Sequence, residues 1–321
     1  MAKPKDSQVT EKQIEKTVED YLLNALPLKQ KAFRIPQSEE NVKRCLFGQE
    51  NFLIISKYKL HLLPLNLLRR LPIYLLRQFA VQVEFDSYWY WALTHDVVKH
   101  CSSTSIRTWQ LINSFETMMA AHFATLHVSS PMVSVQRLNR GIMELVSEPV
   151  KELVLNTDNI LMYVCYPVLE SLSKFVLSPL IDCDGKPLAN FSDGNKNFKK
   201  GGRKISSLAL ILRSLEKNCT KILSKPDFAI NLRDFKLEVE KMPLFKPKKN
   251  QDGWNAVYDL RNASLHGVKG WQLRSGLLTN LICLILWNFL DDQTLTTELE
   301  SIKRRPPFYS QTFGGYYPPE M

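Results

Sequence analysis

Apolar residues recur at helical spacing along most of the chain, and few stretches alternate apolar and polar positions as half-buried strands do. The most regular pattern is Ile205, Leu208, Leu212, Leu215, Cys219 and Ile222, spaced three or four apart, which predicts an amphipathic helix. Asn159 to Leu177 and about Trp271 to Leu290 are apolar almost all round and predict buried helices. Within the second, "LLTNLICLILWNFL" (Leu277 to Leu290) is shorter than the roughly 20 residues a membrane span needs. The run from Ile160 to Ile181 carries Pro167, Glu170, Lys174 and Pro179, which also argues for burial in protein. Val9 to Leu26 predicts a helix opened by Thr10 and closed before Pro27. Another runs through "STSIRTWQLINSFETMMAAHFATLHVSS" and ends before Pro131.

The remaining segments are interrupted. Between Glu39 and Cys101 the chain is apolar, but Pro64 and Pro72 break the pattern; Arg69, Arg70 and Arg77 interleave with leucines, as on a packed helix with solvated arginines. "DCDGKPLANFSDGNKNFKKGGRK" (Asp182 to Lys204) is a turn-rich loop, and a charged segment with Pro226, Pro243 and Pro247 follows the amphipathic helix. The fold class expected is all-α: a mostly helical N-terminal domain over 1–155, a bundle of four or five helices over 156–292 with a basic insertion, and a Pro- and aromatic-rich tail over 293–321.

Composition changes this picture little. The chain has 321 residues, 45% apolar and 23% charged, with only 12 glycines, as in an ordinary globular protein with a substantial core. "MAKPKDSQVTEKQIEK" is polar and charged and does not resemble a secretory signal, so a soluble, cytoplasmic protein is expected. The six cysteines, at 45, 101, 165, 183, 219 and 283, show no CxxC pairing and read as reduced core thiols. His95 and His100, and His122 and His127, are spaced by five, whereas two ligands on one helical face need three or four; packing roles are expected, and no metal site.

Charge is more informative. The formal net charge is +10, and Asn195 to Asn250 holds 15 Lys or Arg against 5 Asp or Glu, which accounts for the whole surplus. A localised basic surface suits a polyanion such as nucleic acid; the alternative is a solvated, solubilising face.

Just after this segment lies "YDLRNASLHGVKG" (Tyr258 to Gly270). On a helix, Trp254, Tyr258, Arg261 and Leu265 share one face, and Asn255, Asp259, Asn262 and His266 share another. Arg261 falls at the margin of the buried face, where its stem can pack and its head emerge. Gly267 suits a position just past a helix end, which would set His266 in the negative end of the dipole and favour its charged form. Imidazole titrates near pH ~6.5, so both forms would be available at neutral pH for acid–base work. The alternative is structural: an arginine and a histidine capping the last carbonyls of a helix.

"RNASLHG" (Arg261 to Gly267) resembles the R-N-x-x-x-H signature of HEPN-domain ribonucleases, which include toxins of toxin–antitoxin systems, abortive-infection proteins of phage defence and CRISPR-associated nucleases. The resemblance covers the bundle from about Asn156 to Asp292. It implies a catalytic pair of Arg261 and His266 oriented by Asn262, and metal-independent RNA cleavage without a cofactor. In that chemistry the ribose 2′-hydroxyl attacks the adjacent phosphate and leaves 2′,3′-cyclic phosphate and 5′-hydroxyl ends. His266 would move the proton, and Arg261, as a planar multi-donor cation, would stabilise the phosphoryl oxygens.

In this family two motifs usually meet across a symmetric interface. No other arginine of this chain has a histidine five to seven positions later. The resemblance therefore implies a homodimer or a HEPN-containing partner that completes the site, with an antitoxin or effector complex as a further partner. RNA would be held by the loop residues Lys196, Lys199, Lys200, Arg203 and Lys204 together with Lys246, Lys248 and Lys249. Phe198 would stack on a base or anchor its own loop. The alternative function is a non-catalytic RNA-binding or scaffold subunit of a ribonucleoprotein. The N-terminal half has no nucleotide-binding glycine loop and no strand–helix alternation, so no Rossmann-like sensor is expected there.

Overall fold

The computed structural model describes residues 63–81, 85–100, 110–119, 157–242, 251–265 and 272–304. The helix expected over Val9–Leu26, all of the "STSIRTW" stretch except 110–119, and the three lysines between 246 and 249 lie outside them. In chain order the described elements are α1 (Leu65–Val81), α2 (Phe85–His100), α3 (110–119), α4 (Thr157–Val176), β1 (Phe191–Ser192), β2 (Asn197–Phe198), α5 (Leu208–Leu223), α6 (Pro226–Lys241), α7 (Gly253–Leu265), α8 (Gln272–Phe289) and α9 (Asp292–Arg304). The protein is thus all-α, apart from one short antiparallel hairpin among the described residues.

The axis of the fold is α8. Every residue from 275 to 288 is buried, as expected for a helix apolar all round, and α1, α2, α4 and α6 pack against it. Most of its polar atoms are matched, the buried Asn280 Nδ2 being without a hydrogen-bond partner among the described residues. Asn280 accepts from Trp91 Nε1 at 2.7 Å, Asn288 accepts from Asn231 at 3.0 Å, and Trp287 Nε1 donates to Thr94 at 2.8 Å. Among the described residues no helix is long and apolar enough to cross a membrane. Leu67, Leu71 and Trp91 from α1 and α2 and Leu169, Leu212 and Phe235 from α4, α5 and α6 belong to one buried cluster.

Three segments depart from the sequence-based expectation. First, α1 runs through Pro72. Proline has no N–H to give the carbonyl of Leu68 four residues back, and the Tyr90 hydroxyl of α2 takes that place at 2.8 Å, so the helix continues. Arg69 is not solvated but 8% exposed: it donates to the Trp287 carbonyl at 3.0 Å and to Asp292 at 2.6 Å, closing the C-terminal end of α8. Lys225 adds bonds to the carbonyls of Asn288 and Leu290 at 3.1 and 2.6 Å, and burial holds its pKa below the usual lysine value.

Second, the charged segment after α5 is a helix. Pro226 occupies its first turn, where the missing N–H costs nothing, and Phe228, Leu232, Phe235 and Val239 bury one stripe. Third, the beginning of the expected tail is α9, which buries Leu295, Leu299 and Ile302 and is capped by Asp291 accepting the Thr294 N–H at 2.8 Å.

Candidate functional site

The candidate arginine stands near the end of α7, and three neighbouring side chains fix where that helix begins. Asp252 accepts the Asn255 N–H at 3.0 Å as an N-cap. Arg213 of α5 grips the same carboxylate with two bonds of 2.9 and 3.0 Å and also donates to the Asn255 side chain. Glu240 of α6 accepts the Gly253 N–H at 2.8 Å. Gly253 is needed here because a Cβ would come within 2.6 Å of the Lys236 carbonyl. At the next position, fully buried Trp254 donates to Glu216 at 2.6 Å, and Lys236 neutralises that carboxylate with bonds of 2.9 and 3.0 Å.

Trp254, Ala256, Val257 and Leu260 form the buried face of α7, while Tyr258, Asp259, Arg261 and Asn262 are half-buried beside it. The Arg261 side chain, 31% exposed, reaches Glu170 of α4 at 3.8 Å, and Glu170 in turn binds Lys174 at 2.7 Å one helical turn along. Two cations thus flank one carboxylate in a half-buried setting. Such a cluster can take an anionic phosphate on the guanidinium fork, while Glu170 limits where that fork points. Asn262 is the next residue of the same turn. His266 and Gly267 lie outside the described residues, which end at Leu265 on this helix.

The basic insertion is built on α5. Asn218 donates to the Ser192 carbonyl at 2.8 Å, and β1 pairs with β2 through Phe191–Phe198 and Ser192–Asn197. The Phe191 and Phe198 rings stack at 5.0 Å, so Phe198 anchors its own hairpin. Lys196, Lys199, Lys200, Arg203 and Lys204 are all exposed along this hairpin and the turn after it. Gly201, at φ +70°, makes that turn, and Lys204 stands 3.7 Å from Asp184. Earlier in the insertion the Asp182 carboxyl is held below its usual range, chiefly by the N–H of Lys186. The hairpin cations and Arg261 are held by different helices, α5 and α4 respectively, and Lys246, Lys248 and Lys249 lie outside the described residues.

The thiols follow expectation in part. Cys165, Cys219 and Cys283 are buried and free, and Cys183 is exposed and free rather than a core thiol. Burial pushes the Cys165 thiol up to about 12 and Cys219 to about 11. His95 packs against Phe115 and lies 3.5 Å from Glu116. Among the described residues no three His, Cys, Asp or Glu side chains converge as a metal site.

Sequence reading missed Glu170 and Lys174 as partners of Arg261. Two charges at i,i+4 in an otherwise apolar helix were the available signal. The chain matches no protein-family model, no curated protein and no solved structure.

Proposed function

We propose that the protein is a cytoplasmic, metal-independent endoribonuclease of HEPN type, with Arg261 and His266 as its catalytic pair and Asn262 as the residue that orients them. The observation that supports this reading is the setting of Arg261. It stands on the last described turn of a helix capped and clamped at its start, half-exposed, with a carboxylate and a lysine of α4 beside it. A phosphodiester bound there would place its non-bridging oxygens on the guanidinium. The 2′-oxygen of the preceding ribose then forms a bond to phosphorus as its proton passes to a base, and the P–O5′ bond breaks. The 5′-oxygen takes up a proton, and no electrons change hands overall. A neutral imidazole suits the first transfer and an imidazolium the second, which is why two copies of the motif, from a homodimer or a HEPN-containing partner, suit the chemistry. DNA, lacking the 2′-hydroxyl, would be spared. Such an enzyme fits defence against phage or toxin-driven growth arrest, with the exposed cations from Lys196 to Lys204 guiding the RNA backbone.

The Arg261–Glu170 ion pair also favours a second reading, in which Arg261 joins α7 to α4 and the protein binds RNA as a non-catalytic or scaffold subunit. Incubating wild type and His266→Ala with labelled RNA in EDTA separates the two. Cleavage by wild type alone, leaving 2′,3′-cyclic phosphate ends, supports the enzyme. RNA bound but uncut by both supports the scaffold.

A further inference from the structure

From Gly194 to Ser207 the chain carries five Lys or Arg and no Asp or Glu. Lys204 stands beside Asp184, but Lys196, Lys199, Lys200 and Arg203 are exposed and form no ion pair among the described residues. The charge does not stop at the hairpin. Its tip residues Asp193 and Asn195 border one polar cleft with Lys217 of α5 and Arg233 of α6, both exposed and likewise without an ion pair among the described residues. The acids of that cleft are engaged elsewhere: Asp252 binds Arg213, and Glu216 binds Lys236. Asp193 is only 6% exposed; its Oδ1 accepts the N–H groups of Asn195 and Lys196 at 2.8 and 2.7 Å and so builds the turn. Its Oδ2 is buried without a hydrogen bond among the described residues, so this carboxylate presents no anion at the surface. Six exposed cations thus gather around the hairpin. The frame that displays them is fixed: Asn218 donates to the Ser192 carbonyl at 2.8 Å, Ser192 Oγ to the Lys196 carbonyl at 2.9 Å, and Asn190 accepts the Lys200 N–H at 2.8 Å. Like charges held together on a fixed frame repel one another, a cost that a merely solubilising surface avoids by mixing signs.

We propose that this face binds the phosphodiester backbone of nucleic acid without regard to the sugar, so that DNA occupies it as RNA does. The inference goes beyond the ribonuclease reading and stands without it: the surface needs only phosphates, whereas cleavage at Arg261 needs the 2′-hydroxyl. Lys196, Lys199, Lys200 and Lys217 are hydrated point charges, which neutralise phosphates without reading sugar or base. Arg203 and Arg233 add two cations that stay charged at any working pH. An acidic protein is the poorer match. Protein interfaces centre on buried apolar and aromatic anchors, and the two rings of the hairpin, Phe191 and Phe198, are half-buried and stacked on each other. The same stacking uses those rings within the hairpin rather than on bases, so the surface has no built-in sequence preference. DNA bound here competes with RNA and is itself left uncut.

The test is fluorescence-anisotropy titration of the full chain carrying His266→Ala, which keeps strands whole, with a short labelled RNA and the DNA of the same sequence over a range of salt. The two strands are expected to bind within about fivefold of each other and to displace one another. The logarithm of the binding constant should fall against the logarithm of salt with a slope of about −3 to −4, at about −0.7 per cation engaged on a single strand. Lys196→Gln, Lys199→Gln and Lys200→Gln combined should cut that slope by about 2 and weaken both strands at least about tenfold. Lys217→Gln with Arg233→Gln should cut it by about 1.4, which tests the extension onto α5 and α6. All five side chains are exposed, so the melting temperature of each variant should hold. RNA bound with DNA excluded, an unchanged slope in the triple variant, or displacement by poly-glutamate as effective as by DNA of equal charge overturns the proposal. The two claims fail separately. DNA and RNA bound by a wild-type chain that cuts no RNA would sink the ribonuclease alone. RNA cut by wild type, with the triple variant binding both strands as tightly as its parent, would sink this surface alone.

Discussion

Replacing Tyr90 by Phe tests how α1 survives a proline in its eighth position. The ring stays in place against Trp287, where the two centroids are 6.0 Å apart, and only the hydroxyl is lost. That hydroxyl is the donor that reaches the Leu68 carbonyl at 2.8 Å, where Pro72 has no N–H to offer. Tyr90 and Leu68 are both fully buried, so water cannot replace the bond. An unsatisfied buried carbonyl costs about 1–3 kcal/mol, and Tyr90→Phe should destabilise the protein by that amount. Pro72→Ala restores the missing N–H. In that background the same Tyr90→Phe change should cost less than about 1 kcal/mol, which leaves a coupling energy of about 1 kcal/mol or more. Urea unfolding of the four proteins, read as midpoint shifts at constant slope, measures both numbers. Equal costs in the two backgrounds would refute the idea that the hydroxyl serves the carbonyl orphaned by proline.

Three further outcomes are expected. Gly253→Ala brings a methyl within 2.6 Å of the Lys236 carbonyl, so it should lower stability by about 1–3 kcal/mol in thermal denaturation and shift the start of α7. Glu170→Gln should lower the RNA cleavage rate about ten- to a hundredfold while RNA affinity holds or tightens; an equal loss of both would mean that the pair only supports the fold. Stability should fall as the solution becomes alkaline. The folded pKa values of Cys165, Cys219 and Cys283 are all raised, so their contribution is complete below the ordinary value near 9.0 and is lost as pH rises through about 11 to 12. Each thiol contributes a slope of up to about 1.4 kcal/mol per pH unit, and flat stability between pH ~9 and ~11 would contradict their burial.

Elements whose folding is decided by their own residues were legible in the chain. The stripe from Leu208 to Cys219 is α5, and the apolar runs became α4 and α8, because local spacing and burial agree there. What was hidden depends on partners distant in sequence. Pro72 reads as a helix breaker until the Tyr90 hydroxyl is brought to it. Arg69 reads as a surface residue until the end of α8 supplies carbonyls for it to bind. The helix α6 was nevertheless available to reading: Pro226 at its first position and the steps Phe228, Leu232, Phe235 and Val239 are an ordinary start and stripe, masked by the charges between them. For the candidate site, the Arg261 position at the edge of a buried face could be read from periodicity. Its pairing with Glu170, and the buried unmatched oxygen of Asp193, arise only when α4, α5 and the hairpin assemble.

Under the proposed function, Arg261 and His266 cleave RNA through its own 2′-hydroxyl. The most direct measurement compares one labelled oligoribonucleotide with its fully 2′-O-methylated twin, in EDTA, using wild type and Arg261→Ala. Only the unmodified strand should be cut, only by wild type, with each product pair carrying 2′,3′-cyclic phosphate and 5′-hydroxyl ends. Cleavage of the methylated strand, or undiminished cleavage by Arg261→Ala, would contradict it.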